Sequence, residues 1–403
     1  MRRAPALWFL LVTVFVDMLG LGLVVPILPR LMESITGSAV GGVRWSGLLG
    51  SLFGLLQFLA APLLGRLSDR YGRRPVLLVS LACLGVDWLA HAAATGPWTL
   101  LVFHGLAGAC AGTVTVVNAY IADVTAPDQR ARAYGLIGAA FGAGFVAGPT
   151  IGGLLGAVHV TLPFHVAGGL AFANAAYGWF VLPESRPGDR KTPLSLRLAN
   201  PFTAIRTVAR RPVLGRLVQA RFCADVDRMI FQATWAYFLT YRFGWQTAHV
   251  GAVMAAGALA GAIFQARAAG RLVERLGEKR AAVLGGAIGV VSLAGTAFVT
   301  APWMLYLLQG VGVLGAVGGV AVQSWISRGI GDAEQGTVQG ALTGVGAIAE
   351  TVVPVLAGAA FGGLLAYGRP GLIFIGAAVF GLISTVLLAR TPVSDQTRAG
   401  AQA

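Results

Sequence analysis

Five carboxylates, Asp17, Asp87, Asp225, Asp227 and Glu350, stand inside stretches that are otherwise mostly apolar. The stretch FVDMLGLGLVVPILP (15–29) is the clearest case, because Asp17 is the one charge between Ala4 and Leu28. An ionised side chain in hydrocarbon costs several kcal/mol at least, so such a group faces a wet crevice or is satisfied by structural hydrogen bonds. Its chemistry is reversible proton binding, and Asp17 and Asp87 are the first candidates for it. Glu350 is a further proton candidate, on one helical face with Gln339, Thr343 and Gly346.

Two other groupings carry chemistry. His104, Gly108, Ala111, Thr115 and Asn118 recur at helical spacing and form a polar stripe. His104 titrates near neutral pH and could join a proton relay, or simply hydrogen-bond a neighbouring backbone. The segment RFCADVDRMIFQATWAYF (221–238) sets Arg221, Asp225, Arg228 and Gln232 on one face, with Trp235 close to it and Asp227 directed elsewhere. Charges three and four residues apart can neutralise one another. Two arginines against one aspartate also leave a positive excess suited to an amphipathic or partly anionic molecule. His91 reads as structural. The spacings of Cys83, Cys110 and Cys223 and of the histidines contain no disulfide framework and no metal-ligand group.

The elements that must position these groups are set by composition. Of 403 residues, 56% are hydrophobic and 11% charged, against roughly 25% charged in soluble domains. Apolar runs suffice for helices spanning a bilayer at 5–28, 45–67, 75–95, 98–122, 131–157, 162–182, 213–241, 247–272, 280–300, 303–327, 336–363 and 371–389. The net charge of +14 does not point to nucleic acid. Arg30, Arg44, Arg242 and Arg369 fall in loops of one side, Arg221 and Arg228 within a helix, and the other Lys and Arg residues on the opposite side. By the positive-inside rule that side, with both termini, is cytoplasmic. MRRAPALWFLL reads as an uncleaved first helix rather than a signal peptide.

The chain is an internal repeat. GRLSDRYGRRPVLL (65–78) returns as GRLVERLGEKRAAV (270–283). At one offset of 205, Gly65 matches Gly270, Asp69 Glu274, Gly72 Gly277, Pro97 Pro302, Gly105 Gly310, Gly135 Gly340 and Pro149 Pro354. Gln309 and Gln323 continue the polar stripe in the second half. Residues 1–182 and 213–403 are therefore expected as two bundles, with 183–212 a polar, basic linker. Repeats of this kind mark transporters, with substrate bound between halves.

The 65–75 turn joins Gly65 and Gly72, which permit tight turns, to Asp69, Arg70, Arg73 and Arg74. Asp69 could meet a helix N-terminus or a basic neighbour from the other half and act as a conformational latch. This turn resembles the loop between helices 2 and 3 of the major facilitator superfamily. GAGFVAGPTIGG (142–153), with Gly144, Gly148, Pro149, Gly152 and Gly153, resembles the fifth-helix motif of its drug–proton antiporters. VDMLGLGLVVPILP, NAYIADVT and LPES further resemble the bacterial tetracycline–proton antiporters.

The resemblance implies an all-α membrane protein of the major facilitator fold, with twelve helices in two pseudo-symmetric six-helix bundles in the inner membrane. It implies export of an amphipathic drug-like molecule driven by inward proton flow, with a helix-5 seal against leak. Gln57, Asn118, Gln309 and Gln323 join the helix 7 stripe as substrate contacts. Asp17, Gln57 and Asp87 fall where those exporters carry Asp, Gln and Asp. His104 replaces a family arginine, and Gly289 an essential helix 9 aspartate. The alternatives are a facilitator or proton-coupled carrier of a metabolite, sugar or lipid-like molecule, and more remotely a membrane receptor or scaffold. The expected partners are a small molecule, protons and the lipid bilayer, for a monomer with no cofactor, no metal and no enzymatic constellation.

Overall fold

Lipid offers no partner to a backbone N–H or C=O, so an apolar chain of this kind satisfies both within helices. The computed structural model describes residues 3–125, 129–185, 205–206, 208–328 and 335–392. Every regular element among them is helical. The first half runs α1 (Arg3–Val24), α2 (Leu28–Thr36), α3 (Ala39–Tyr71), α4 (Arg73–Ala93), α5 (Pro97–Cys110), α6 (Thr113–Val124), α7 (Arg130–Val158) and α8 (Leu162–Val181). The second half runs α9 (Pro212–Phe243), α10 (Thr247–Leu276), α11 (Glu278–Thr296), α12 (Pro302–Gly315), α13 (Val317–Arg328), α14 (Gln335–Ala366) and α15 (Ile373–Arg390). A π-turn, Gln265–Ala269, interrupts α10. Most of the expected linker 183–212 lies outside the described residues.

Among the described residues, nine helical segments are long and apolar enough to cross a membrane. Three more helices, α8, α9 and α11, have comparable lengths. Of these, α9 carries Arg221, Asp225, Asp227 and Arg228 along its length, and α11 opens on Glu278, Lys279 and Arg280.

The repeat is written into the backbone. Gly72 (φ 101°) joins α3 to α4, and Gly277 (φ 75°) joins α10 to α11. Only glycine takes such angles readily. The helix begun at Pro97 breaks at Ala111, and the helix begun at Pro302 breaks at Ala316, so the two interruptions are themselves 205 apart. Pro149 and Pro354 both lie inside long helices.

By packing, the chain forms two compact units, Met1–Ala199 with Gly244–Ala258, and Asn200–Phe243 with Leu259–Ala403. In the first, α1 lies along α7 and α8, α4 along α8, and α3 along α5. In the second, α9 lies along α14 and α15, and α11 along α15. The pairs α1–α7 and α9–α14 are equivalent under the repeat. The main apolar clusters are Phe9, Leu77, Tyr120 and Ile121, and separately Trp88 and Phe164, in one unit, and Leu217, Trp325 and Ile326 in the other.

Candidate functional site

Asp87 points from α4 into the first unit and is 1% exposed. One turn along, at i+4, His91 sets its Nδ1 3.2 Å from Asp87 Oδ1 and 2.9 Å from the Asp87 carbonyl. From α5, His104 brings its Nδ1 to 2.9 Å from Oδ2. A carboxylate only accepts, so in this pairing the His104 N–H donates. Asp87 Oδ1 is buried without a hydrogen bond. His91 stacks on Phe164 and meets His104 edge-on, while His104 lies against Phe53 of α3. Gly105 and Gly108 let α5 come this close, since a Cβ at Gly108 would meet the Phe53 carbonyl at 2.6 Å. His91, expected as structural, is buried and bonded to the Asp87 carbonyl of its own helix, and its Nδ1 also stands beside the carboxylate that His104 engages. The fold also assembles a grouping that the spacing of the cysteines does not suggest. Asp87, His91 and His104 each offer a donor atom within 4.8 Å of the others. The i,i+4 spacing of Asp87 and His91 was the available signal.

Asp17 lies on α1, with the Thr113 side chain of α6 as its hydrogen-bonding neighbour and its Oδ1 buried without a partner. The helix carrying it is seated on the glycines of α7. A Cβ at Gly148 would stand 2.5 Å from Gly22 Cα, and one at Gly144 or Gly152 would strike the Phe15 or Leu23 carbonyl. Gly153 faces the segment 247–251, where Thr247 Oγ1 donates to the Gly153 carbonyl at 3.3 Å. Pro149 sits in this seam, its carbonyl against Gly251. Gln57 is half-buried on α3, and Asn118 is exposed on α6, its carbonyl accepting from the Tyr134 hydroxyl at 3.3 Å.

The 65–75 turn is a charge network within its own unit. Arg73 is 6% exposed and reaches Asp69 Oδ1 at 2.6 Å, Asp123 Oδ2 at 3.1 Å and Ser68 Oγ at 2.6 Å. Glu184 accepts the backbone N–H groups of Arg73 and Arg74 at 2.8 and 3.2 Å, at the positive end of α4. Arg74 lies over the Trp179 ring and donates to the Trp179 carbonyl, and Arg70 lies over Tyr71. Asp69 was expected to meet a helix N-terminus or a distant basic group. Here its partner is Arg73, four residues on, and Glu184 takes the helix terminus. Asp123 and Glu184 were missed, although both lie in the quoted motifs NAYIADVT and LPES. Gly65 has open space around it, whereas a Cβ at Gly72 would collide with the Glu184 carboxylate.

In the second unit Asp225 is 2% exposed and takes Arg221 Nε at 3.0 Å and an Arg228 amino group at 3.2 Å. Arg228 also stands 3.9 Å from Glu350 of α14. Both arginines and Glu350 are partly open to the surface. Asp227 points toward Gly381, and together with Arg221, Asp225 and Arg228 it lines a cavity of about 280 Å³ walled by Gly285, Gly286 and Gly289 of α11. Gln232 and Gln323 are exposed and Gln309 is half-buried. Trp235 is corrected: at 5% exposure, packed against Phe231, Phe238 and Phe374, it belongs to the core and offers no surface to a ligand.

Ionisable clusters held inside long apolar helices, in a chain built as a repeat, define a membrane transporter. The Major Facilitator Superfamily family model matches residues 10–354 and 217–403, and the chain belongs to that superfamily. It is 36% identical over 356 residues to the class C tetracycline resistance protein of Escherichia coli, covering 88% of this chain and 89% of that one. It is 37% identical to the class G tetracycline resistance protein of Vibrio anguillarum, covering 85% and 86%. Among solved structures, the human organic anion transporter MFSD10 (TETRAN) superimposes with a TM-score of 0.70 at 24% identity, covering 96% and 99%. The nucleoside transporter NupG does so with 0.75 at 13%, covering 95% and 98%.

Proposed function

We propose that this chain is a secondary active exporter of an amphipathic drug-like molecule, tetracycline-like or one of several drugs, moved in exchange for protons by alternating access. In this reading it crosses the bacterial inner membrane twelve times, both termini are cytoplasmic, and residues 1–182 and 213–403 are the rocking halves. The observation that carries the proposal is the contact between the buried Asp87 carboxylate and the more open His104 imidazole. A buried carboxylate with no Lys or Arg paired to it, hydrogen-bonded to an imidazole, can take up and pass on a proton. Asp17 is the second proton site. The Arg221–Asp225–Arg228 stripe with Glu350 supplies the substrate-facing charge of the second half. The likeness to tetracycline resistance proteins supports the substrate class.

Proteoliposomes with an imposed pH gradient test this. Adding tetracycline should move protons through the protein, read by an internal pH dye. Asp17→Asn and Asp87→Asn should each cut gradient-driven flux at least tenfold. Full gradient-driven transport in both variants would end the proton assignment.

A second reading, a facilitator or proton-coupled carrier of a metabolite, rests on Gly289, which stands where tetracycline exporters carry a helix 9 acid. Asp227 lines the same cavity and offers a carboxylate from α9 instead. Metabolite flux without tetracycline flux would favour this reading, and its independence of the pH gradient would select the facilitator form.

A further inference from the structure

We propose that Asp87, His91 and His104 form a binding site for a divalent transition metal, with zinc the ion of choice, inside the first unit. Two imidazoles and one carboxylate are a recurrent donor set for such ions and leave one or more positions open. The three donor atoms lie within 4.8 Å of one another. Ligands about 2.0–2.1 Å from one tetrahedral ion stand roughly 3.3 Å apart. The 2.9 and 3.2 Å separations of the His104 and His91 nitrogens from the carboxylate already suit that spacing. The remaining nitrogen-to-nitrogen gap closes by side-chain rotation.

The independent observation is the state of Asp87 itself. Its carboxylate is 1% exposed and its Oδ1 has no hydrogen bond. The His91 Nδ1–H donates to the Asp87 main-chain carbonyl at 2.9 Å, and coordination through that nitrogen would release the proton and replace the bond. A buried carboxylate oxygen left without a hydrogen bond carries an uncompensated desolvation cost, which a coordinated cation offsets. Among the described residues no Lys or Arg pairs with Asp87, so its counter-charge must come from a proton on an imidazole or from an ion. The side chain of His104, 19% exposed, is the open edge of the cluster and the direction of entry. A water, hydroxide or anionic group at the open position would lower the residual positive charge.

Both ring stacks favour the site being preorganised. His91 lies flat on Phe164, 6° from parallel, and His104 is held against Phe53. The two rings meet edge-on at 5.1 Å, so both Nδ1 atoms converge on one carboxylate. Under the repeat the same three positions of the second half are Ser292, Thr296 and Gln309, which are poor metal donors. One ion per chain is therefore expected. The site does not depend on proton exchange being the transport mechanism. If Asp87 does exchange protons, zinc would compete with them.

The test uses the full chain, without a polyhistidine tag, in detergent at pH 7.5. Equilibrium dialysis against Zn²⁺ should give one ion per chain with micromolar or tighter affinity. Co²⁺ should bind with the visible absorption of a four- or five-coordinate His-containing site. His91→Gln, His104→Gln and Asp87→Asn should each weaken binding at least tenfold, while His159→Gln and His249→Gln bind as the unaltered protein does. Should Asp87→Asn not fold, His104→Gln decides, because that side chain is the least buried of the three. Affinity should also fall below about pH 6 as protons displace the ion from imidazole. Binding of fewer than half an equivalent, or unchanged binding in both histidine variants, overturns the proposal.

Discussion

Gly148→Ala is the sharpest single perturbation of the seam that seats Asp17. A Cβ at Gly148 would lie 2.5 Å from Gly22 Cα, 2.8 Å from the Gly22 carbonyl carbon and 2.8 Å from the Leu19 carbonyl oxygen. Carbon atoms in contact prefer about 3.5–4.0 Å, so the overlap is on the order of 1 Å. All three neighbours are backbone, and no side chain can rotate away. The helices α1 and α7 must separate by a similar distance, loosening Gly144 and Gly152 along with Gly148. Overpacking of this kind costs about 1–3 kcal/mol. Alanine returns at most about 1 kcal/mol of helix propensity. Gly138, on the same helix, has nothing within 4 Å of its would-be Cβ. Gly138→Ala therefore gains the propensity and incurs no clash. The propensity gain cancels between the two variants, so they should differ by the overpacking cost, roughly 1–3 kcal/mol, and by a few degrees in melting temperature at about 2 °C or more per kcal/mol. Thermal unfolding in detergent, read by size-exclusion chromatography, measures the difference. If Gly148→Ala melts together with Gly138→Ala, the seam is not close-packed and the seating of α1, which carries Asp17, against α7 is wrong.

Two further predictions follow from corrected positions. Glu184→Gln removes a charge that accepts two main-chain N–H groups at the start of α4, and should lower stability by about 0.5–2 kcal/mol; Glu184→Asp, which keeps the charge, should recover part of it in the same melt. Trp235→Ala should cost about 3–5 kcal/mol of stability while Trp235→Phe transports with an unchanged apparent affinity, because the ring packs on Phe231, Phe238 and Phe374 rather than on a ligand; a tenfold loss of substrate affinity in a well-folded Trp235→Phe would return it to the binding surface.

Much of this architecture is legible in the residues. Helix starts follow from Pro97, Pro302 and the glycine turns at 72 and 277, where local chemistry alone sets the backbone. The charged face of α9 is legible too, because i, i+4 and i+7 fix which groups can meet: Asp225 does lie between Arg221 and Arg228. What sequence spacing does not contain is the partner from another helix. His91 reads as an isolated histidine until α5 brings His104 to the same carboxylate. Glu184 lies 111 residues from the N–H group that it caps. Trp235 fits an amphipathic face on helical spacing, yet α15 covers that flank of α9 with Phe374.

The repeat constrains shape more tightly than chemistry, and the reason is physical. Gly72 and Gly277, and the breaks at Ala111 and Ala316, are backbone conditions with few solutions, so each half meets them with the same residue type. A charged contact has many solutions, since it needs only a complementary partner within reach. Arg73 and Asp123 pair in the first unit, and Glu278 and Arg328 stand at the same two repeat positions with the signs exchanged. The buried Asp87, His91 and His104 give way to Ser292, Thr296 and Gln309, while the second half places its own buried carboxylate, Asp225, on α9. Under the repeat, position 225 corresponds to Gly20 of α1, where no charge stands. The two halves thus share a scaffold but set their buried carboxylates at different positions on it, Asp17 on α1 and Asp225 on the equivalent α9.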